Sequence, residues 1–395
     1  MKILMATHYF ASHRGGIEIV AENLYKELAS VGEEVVWIAS DSTPPPPNIA
    51  RCRTVCLPVW NIFESKTGLP FPITKVRALR QISHELDGVD VVVLHDCLYL
   101  TNIAVFLMAL LLRIPVMAIQ HTIPNERGFF DILMRAATAG IVRPMLSKAN
   151  QVVFISEKTR AFYSHLRFRN PPEIIFNGVD TSVFVPQREN ESKSSLRAEF
   201  DLPNDQHVVL FVGRFVSKKG LPILKRLANM SGNCTWVFAG WGPLDPTSWN
   251  LSNVRVFSGL QGSSLAKLYR ACDVLVLPSR NEGFPLVVQE GLASGLPVVC
   301  GADTVAADRA MTSLVTGVAV DLEDEAQTAK EFLAAIETAC AVSPDSGAAC
   351  RVRSAFAAAR YSWHGAATSY LQIASRLIRN NASRNVELES HRVLR

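Results

Sequence analysis

The sequence predicts an α/β protein built from two doubly wound, parallel-sheet domains, and three observations predict it. At 395 residues the chain exceeds the size at which a single hydrophobic core keeps growing. Short, continuous apolar runs alternate with helical patterns, the mark of strands covered on both faces by helices. The alternation also comes in two series, separated by the polar, charged stretch FNGVDTSVFVPQRENESKSS, which reads as the end of a strand, a turn at Asn177-Gly178 and a linker.

The first series begins with ILMAT, a buried strand entering the glycine loop His13-Arg14-Gly15-Gly16. MKILMATHYF carries one Lys and a short apolar run, too little for a secretory signal. IEIVAENLYKELAS is a helical pattern closed by Gly32, and EVVWIAS is the next strand. Pro44 to Pro47 form a stiff surface loop. VDVVVLH, PVMAIQH and QVVFIS are further strands. The uncharged run CLYLTNIAVFLMALLL, Cys97 to Leu112, is shorter than the roughly 20 residues a membrane span needs. Arg113 and Pro115 interrupt it, so a buried helix followed by a strand is expected. The second series is HVVLFVG, TWVFAG, VRVFSG, DVLVLPS and PVVC, with helical segments between. Domains are expected at 1–180 and 181–365. In 366–395 a helix crosses back to the first domain and ends in a polar, frayed tail.

Composition excludes several function classes. Hydrophobic residues make up 48% and charged residues 19%, which describes a globular chain. A net charge of +4 is too weak to argue for nucleic acid, yet suits anionic small molecules or a mildly acidic membrane. The eight cysteines never form Cys-x-x-Cys, which favours a reducing, cytoplasmic setting over a zinc site or disulfide framework. No Gly-x-Gly-x-x-Gly follows the first strand, so a dinucleotide-dependent oxidoreductase is disfavoured.

In doubly wound sheets ligands bind beyond the carboxyl ends of the strands. Nearly every chemically interesting residue lies there: His8 to Gly16, His121, Gly213 to Gly220, Gly240 to Pro243 and Ser279 to Glu290. RNEGFPLVVQEGLASGLPVV sets Glu282 in a loop before a helix and Glu290 about one and a half turns into it. Gly291 and Gly295 keep that face narrow. The N–H groups of the first turn form an anion site. Two carboxylates ~4 Å apart would repel by about 4 kcal/mol at an effective dielectric of 20, so each needs its own task. A ligand with phosphates in its middle and hydroxyl-rich rings at both ends supplies both tasks. Arg214 and Lys219 in VGRFVSKKG are the nearby cations.

From about Ile3 to Tyr370 the chain resembles the retaining glycosyltransferases of family 4, which have the GT-B fold of two Rossmann-like domains facing across a cleft. The resemblance rests on RGGIE, QHT at 120–122, FNGVD, VGRFVSKKG, AGWGP, LYRACDVLVLPSRNEGFPLVVQEGLASGLPVV and YSW. It implies transfer of a sugar from a UDP- or GDP-sugar to a saccharide or lipid-linked acceptor, with no cofactor and no metal. Glu290 would bind the donor ribose and Glu282 a hydroxyl of the transferred sugar. Backbone around Gly283, Phe284 and Leu286 would contact the sugar or distal phosphate. Arg214 and Lys219 would hold the diphosphate, with Gly15 and Gly16 closing over it. His121 would stand beside the transferred sugar, or else serve as a capping or core histidine. His8 and His95 are read as structural. After GLPVV the family continues through a Gly-Gly turn and a Glu, whereas this chain reads CGADTVAADRAM, where Asp303 or Asp308 could replace a contact. Arg127, Arg135, Arg143 and Lys148 interleave with Phe129, Phe130, Ile132, Leu133 and Met134. That stretch is either a basic face for an anionic membrane or an ordinary amphipathic helix. The competing functions are a nucleotide-sugar epimerase and a non-catalytic nucleotide-sugar binding subunit.

Overall fold

The computed structural model describes all residues except 63, 65–70, 125–128, 342–346 and 394–395. The chain divides into two compact units, Met1–Asn177 with Trp363–Arg395, and Gly178–Ser362.

The first unit holds a parallel sheet of β1 (Lys2–Ala6), β2 (Glu34–Ser40), β3 (Arg53–Leu57), β6 (Val91–His95), β7 (Val116–Gln120), β8 (Gln151–Phe154) and β9 (Glu173–Ile174). Its strand order is β3-β2-β1-β6-β7-β8-β9. A small antiparallel pair, β4 (Val59–Trp60) and β5 (Ile73–Thr74), lies outside it. Central strands β6, β7 and β8 are buried at every position, which is why they read as unbroken apolar runs. Edge strand β3 alternates exposed and buried residues and carries Arg53 and Thr54, so no such run announces it.

The second unit holds β10 (His207–Arg214), β11 (Cys234–Trp241), β12 (Val254–Phe257), β13 (Val274–Leu277), β14 (Val298–Gly301) and β15 (Thr316–Val318). Their order is β12-β11-β10-β13-β14-β15. Taken in sequence within the unit this is 3-2-1-4-5-6, the doubly wound order with its switch between β10 and β13. In the first unit the corresponding switch lies between β1 and β6. The helix Leu286–Ala293 sits close to its sheet because Gly291 has no side chain. A Cβ there would meet Leu275 Cδ2 at 2.8 Å.

Cys97 to Leu112 contains the expected helix, Leu100–Leu111, followed by β7. At 1.5 Å per residue it is about 18 Å long. Among the described residues no helix is long and apolar enough to cross a membrane. Helices Phe129–Ala137 and Arg143–Lys148 are joined by a π turn at Thr138–Val142. Arg127 and the side chains of Phe129, Phe130 and Leu133 lie outside the described residues. Trp363–Val393 is one helix belonging to the first unit, where Asn381 Nδ2 donates to Arg113 O at 3.1 Å. The segment expected to fray continues that helix to Val393, since it contains Arg, Glu and Leu and neither Gly nor Pro.

Candidate active site

The exits of β10 and β13 flank the switch of the second sheet, and the donor residues expected in this unit follow these two strands. Arg214 closes β10, and Lys219 ends the 3-10 turn Ser217–Lys219 that follows. Gly220 then turns the chain with φ +80°. A Cβ on it would strike Pro278 O at 2.4 Å, so this glycine lets the two exits touch. Glu282 stands in the second exit, and Lys219 Nζ lies 2.9 Å from its Oε1. One member of the carboxylate pair is thereby neutralised. Arg214 places its guanidinium carbon 5.1 Å from the centroid of the Trp241 ring. Its Nε is buried without a hydrogen-bond partner among the described residues.

The loop carrying Glu282 is held from the divergent segment. Asn281 takes a left-handed conformation, φ +54°, and its N–H donates to Asp303 Oδ2 at 2.6 Å. Asp303 lies near the start of the segment CGADTVAADRAM, within the short helix Ala302–Val305. Asp308 is fully buried and accepts from Arg360 Nη2 at 2.9 Å, Tyr361 Oη at 2.7 Å and Ala310 N at 3.0 Å. Tyr361 in turn meets the buried Phe284 ring edge-on at 5.3 Å. The Phe284 side chain is therefore core, and only its backbone faces any role at the site. Gly283 precedes it in the loop, and Leu286 opens the helix behind Pro285. In that first turn Val288 N donates to Pro285 O at 3.1 Å, and helix geometry leaves the N–H groups of Leu286 and Val287 without intrahelical acceptors.

Glu290 lies in the helix Leu286–Ala293 and is half-buried. Burial pushes its carboxyl up to about 7, against the Tyr269 hydroxyl, which donates to Oε2 at 2.7 Å and lowers it. The two carboxylates thus meet their electrostatic conflict differently, Glu282 through a cation and Glu290 through a neutral donor.

In the first unit Gly15 and Gly16 open the helix Gly16–Ser30. A Cβ on Gly15 would lie 2.1 Å from Glu18 Oε2, whereas one on Gly16 would meet nothing within 4 Å. A side chain at Gly15 would displace the Glu18 carboxylate from its place, whereas one at Gly16 would displace nothing. Glu18 is buried and organises a polar cluster, with His8 Nε2 at 3.0 Å and His13 Nδ1 at 3.5 Å. Burial would raise its carboxyl, but those imidazoles hold it well below the usual carboxylate range. His13 also contacts Glu64 Oε1 at 2.7 Å, and the two carboxylates raise its pKa against the opposing effect of burial. His8 stacks on Tyr99 at 3.6 Å.

His121 is buried just past β7, its Nε2 3.2 Å from Nδ1 of His95. Burial lowers His121 to about 3, and burial with His121 beside it lowers His95 well below its ordinary value. The pair is neutral, one ring nitrogen donating to the other. His121 can therefore offer a hydrogen bond to a sugar but no positive charge to a phosphate. His95 is its partner, and His8 holds Glu18.

Glu18, His13, Trp241 and Tyr269 lie in the motifs or strand-end segments named from the sequence, but the sequence assigned none of them a role. The Tyr269–Glu290 contact spans 21 positions and two helices, and no local periodicity reports such a pair. Glu18 did lie within RGGIE, directly after the glycine loop, and that placement was a usable signal.

The glycosyltransferase family 4 model matches residues 14–183, and the glycosyl transferases group 1 model matches residues 192–340. A D-inositol 3-phosphate glycosyltransferase of Xylanimonas cellulosilytica is 27% identical over 94% of each chain. A GDP-mannose-dependent alpha-mannosyltransferase of Mycobacterium tuberculosis is 28% identical over 76% of this chain and 78% of its own. Among solved structures, sucrose-phosphate synthase of Thermosynechococcus elongatus superposes with a TM-score of 0.72 at 19% identity, covering 96% of this chain and all of that one. HepE of Anabaena, in complex with UDP and glucose, gives 0.71 at 17% identity over 95% and 99%. The fold is GT-B.

Proposed function

Because the chain belongs to the glycosyltransferases of the family 4 type, we propose that it moves a sugar from a UDP- or GDP-sugar to a saccharide or lipid-linked acceptor. The transfer proceeds with retention and without a metal, in assembly of a polysaccharide, lipopolysaccharide or glycolipid. The observation that carries this reading is the meeting of Lys219 with Glu282 where β10 and β13 part, with Arg214 beside them on the same exit. Bond breaking at the anomeric carbon leaves charge on the nucleoside diphosphate. Arg214 and Lys219, with the first-turn N–H groups near Leu286, are preplaced to take up that charge without reorganising. Glu282 accepts from a hydroxyl of the sugar and, in doing so, shares Lys219 with the diphosphate. Glu290 accepts from the ribose. Neutral His121 offers a hydrogen bond to the transferred sugar.

Acceptor binding is assigned to the first unit. The helical stretch bearing Arg135, Arg143 and Lys148 is the segment through which a lipid-linked acceptor at an anionic membrane would be met. The test is transfer itself. Release of nucleotide from the UDP- or GDP-sugar should require acceptor and persist in chelator. Release with free sugar products but no acceptor dependence would overturn transferase action, and loss in chelator would overturn the metal-free mechanism.

Gly15 and Gly16 separate a packing role from a ligand role. Gly16→Ala should leave Tm unchanged or slightly raised, since Ala favours a helix by up to ~1 kcal/mol over Gly. Turnover should nonetheless fall if Gly16 takes part in donor binding, since a Cβ there meets nothing within 4 Å and so disturbs no packing. Gly15→Ala should lower Tm through its clash with Glu18. Thermal unfolding and donor turnover measured on both variants check this, and normal turnover in Gly16→Ala would remove Gly16 from the site.

A further inference from the structure

Glu290 can serve the ribose only if its carboxylate presents an oxygen in a fixed direction, and its own side chain has three torsions with which to wander. Tyr269 removes that freedom. It comes from another helix, Gly262–Ala271, and is fully buried. Phe184 packs edge-on against its ring at 5.5 Å and 89°. The hydroxyl donates to Glu290 Oε2 at 2.7 Å, and its other oxygen neighbour, Val287 O, is at 3.5 Å. Among the described residues Glu290 Oε1 takes no hydrogen bond, and it is not one of the buried atoms. A buried donor thus occupies one oxygen and leaves its twin without a hydrogen bond among the described residues and not wholly enclosed.

Several cations near this helix are committed elsewhere, and Arg214 lies against Trp241. Lys219 pairs with Glu282, and Arg270, next to Tyr269 in sequence, pairs with Glu191. From the packed helix Gly347–Arg360, Arg353 donates to Gly295 O and Arg360 to Asp308. Tyr269 itself stays protonated, because burial and Glu290 both raise its pKa well above the ordinary value.

We propose that Tyr269 is the positioning residue of the donor site, holding one oxygen of Glu290 so that the other accepts from the 2′,3′-diol of the nucleotide ribose. This rests on the donor-site reading above. It carries a pH signature. The diol must donate to an ionised carboxylate, whose midpoint is about 7. Affinity therefore falls as pH drops through that value, by at most ~tenfold per unit for one proton. Removing the Tyr269 hydroxyl takes away the group that lowers the carboxyl, so the midpoint moves up.

The test is calorimetric titration of UDP and GDP, and of their 2′,3′-dideoxy counterparts, from one pH unit below the midpoint to two above it. At neutral pH Tyr269→Phe should weaken the ribonucleotide at least ~fivefold, the loss of one hydrogen bond to a charged group. It should shift the midpoint upward and leave the dideoxynucleotide within about twofold. Phe184→Leu, which loosens the ring and spares the hydroxyl, should give the same selective loss in smaller measure, and it decides the matter if Tyr269→Phe does not fold. Equal weakening of ribo- and dideoxynucleotides would reduce Tyr269 to a packing role and overturn the proposal. So would wild-type affinity and midpoint in Tyr269→Phe while Glu290→Gln still weakens the ribonucleotide, and in that case the ribose site itself stands. If Glu290→Gln also binds normally, the donor-site reading beneath the proposal fails.

Discussion

Replacing Lys219 or Arg214 with alanine is expected to lower turnover of the nucleotide-sugar by roughly 10²- to 10³-fold each, the usual cost of losing one preplaced donor to developing charge. Folding stability should fall less than turnover does. Lys219 and Glu282 keep 22% and 13% side-chain exposure, so breaking the pair costs between the about 0–1 kcal/mol of an exposed bridge and the about 3–5 kcal/mol of a fully buried one. Arg214 adds a guanidinium–indole contact with Trp241, worth about 0.5–1 kcal/mol at a partly exposed position. Turnover with saturating donor and acceptor, together with Tm, separates the two effects. Lys219→Arg, which keeps the charge, should recover part of the rate. Less than threefold loss in both alanine variants would mean that neither cation meets the departing diphosphate.

Asp308→Ala should be the most destabilising single change near the site, by about 3–5 kcal/mol, because it strips the acceptor from a buried cluster. Its carboxylate is fully buried and gathers Arg360, the Tyr361 hydroxyl and the Ala310 N–H. Arg360 is partly hydrated, with 36% of its side chain exposed, which places the loss toward the lower end of that range. Tyr361 would lose its acceptor while still packed on Phe284, so the loop between Glu282 and the helix start should loosen as well. Urea unfolding should show a large fall in midpoint. At a temperature where the variant remains folded, donor affinity should also be reduced. A midpoint near the wild-type value would show that the cluster does not anchor this loop. Asp303 is tied to the site more directly, since it receives the Asn281 N–H one residue before Glu282. The divergent sequence after β14 therefore supplies both an anchor in the core and a brace for the loop.

The fold was legible where burial is complete. VVVLH, VMAIQ and QVVF are apolar except for one buried polar residue at an end of each (His95, Gln120 and Gln151), because helices cover both faces, and each is a strand at the expected place. Edge strands β3 and β15 escaped notice for the opposite reason: β3 shows Arg53 and Cys56 to solvent, and β15 begins with an exposed Thr-Gly. β9, expected only as a strand end before the Asn177-Gly178 turn, is two residues long. The site was legible in part. Strand-end positions drew attention to five segments, two of which carry Arg214, Lys219, Glu282 and Glu290 and lie at the exits of β10 and β13. What spacing could not supply is who neutralises whom. Lys219 and Glu282 are 63 positions apart and meet only because Gly220 lets one exit lie against the other. The same holds for His95 and His121, whose neutral pairing depends on the burial of both rings.

The most direct measurement is calorimetric titration of UDP-, GDP- and ADP-sugars, in chelator, into the wild-type protein and into Lys219→Ala and Glu290→Gln. Binding of at least one donor class, weakened about tenfold or more by each substitution, is the expected result. No binding of any class by well-folded protein, or binding that both substitutions leave intact, would contradict a pyrophosphate-linked sugar held where the two strand exits part.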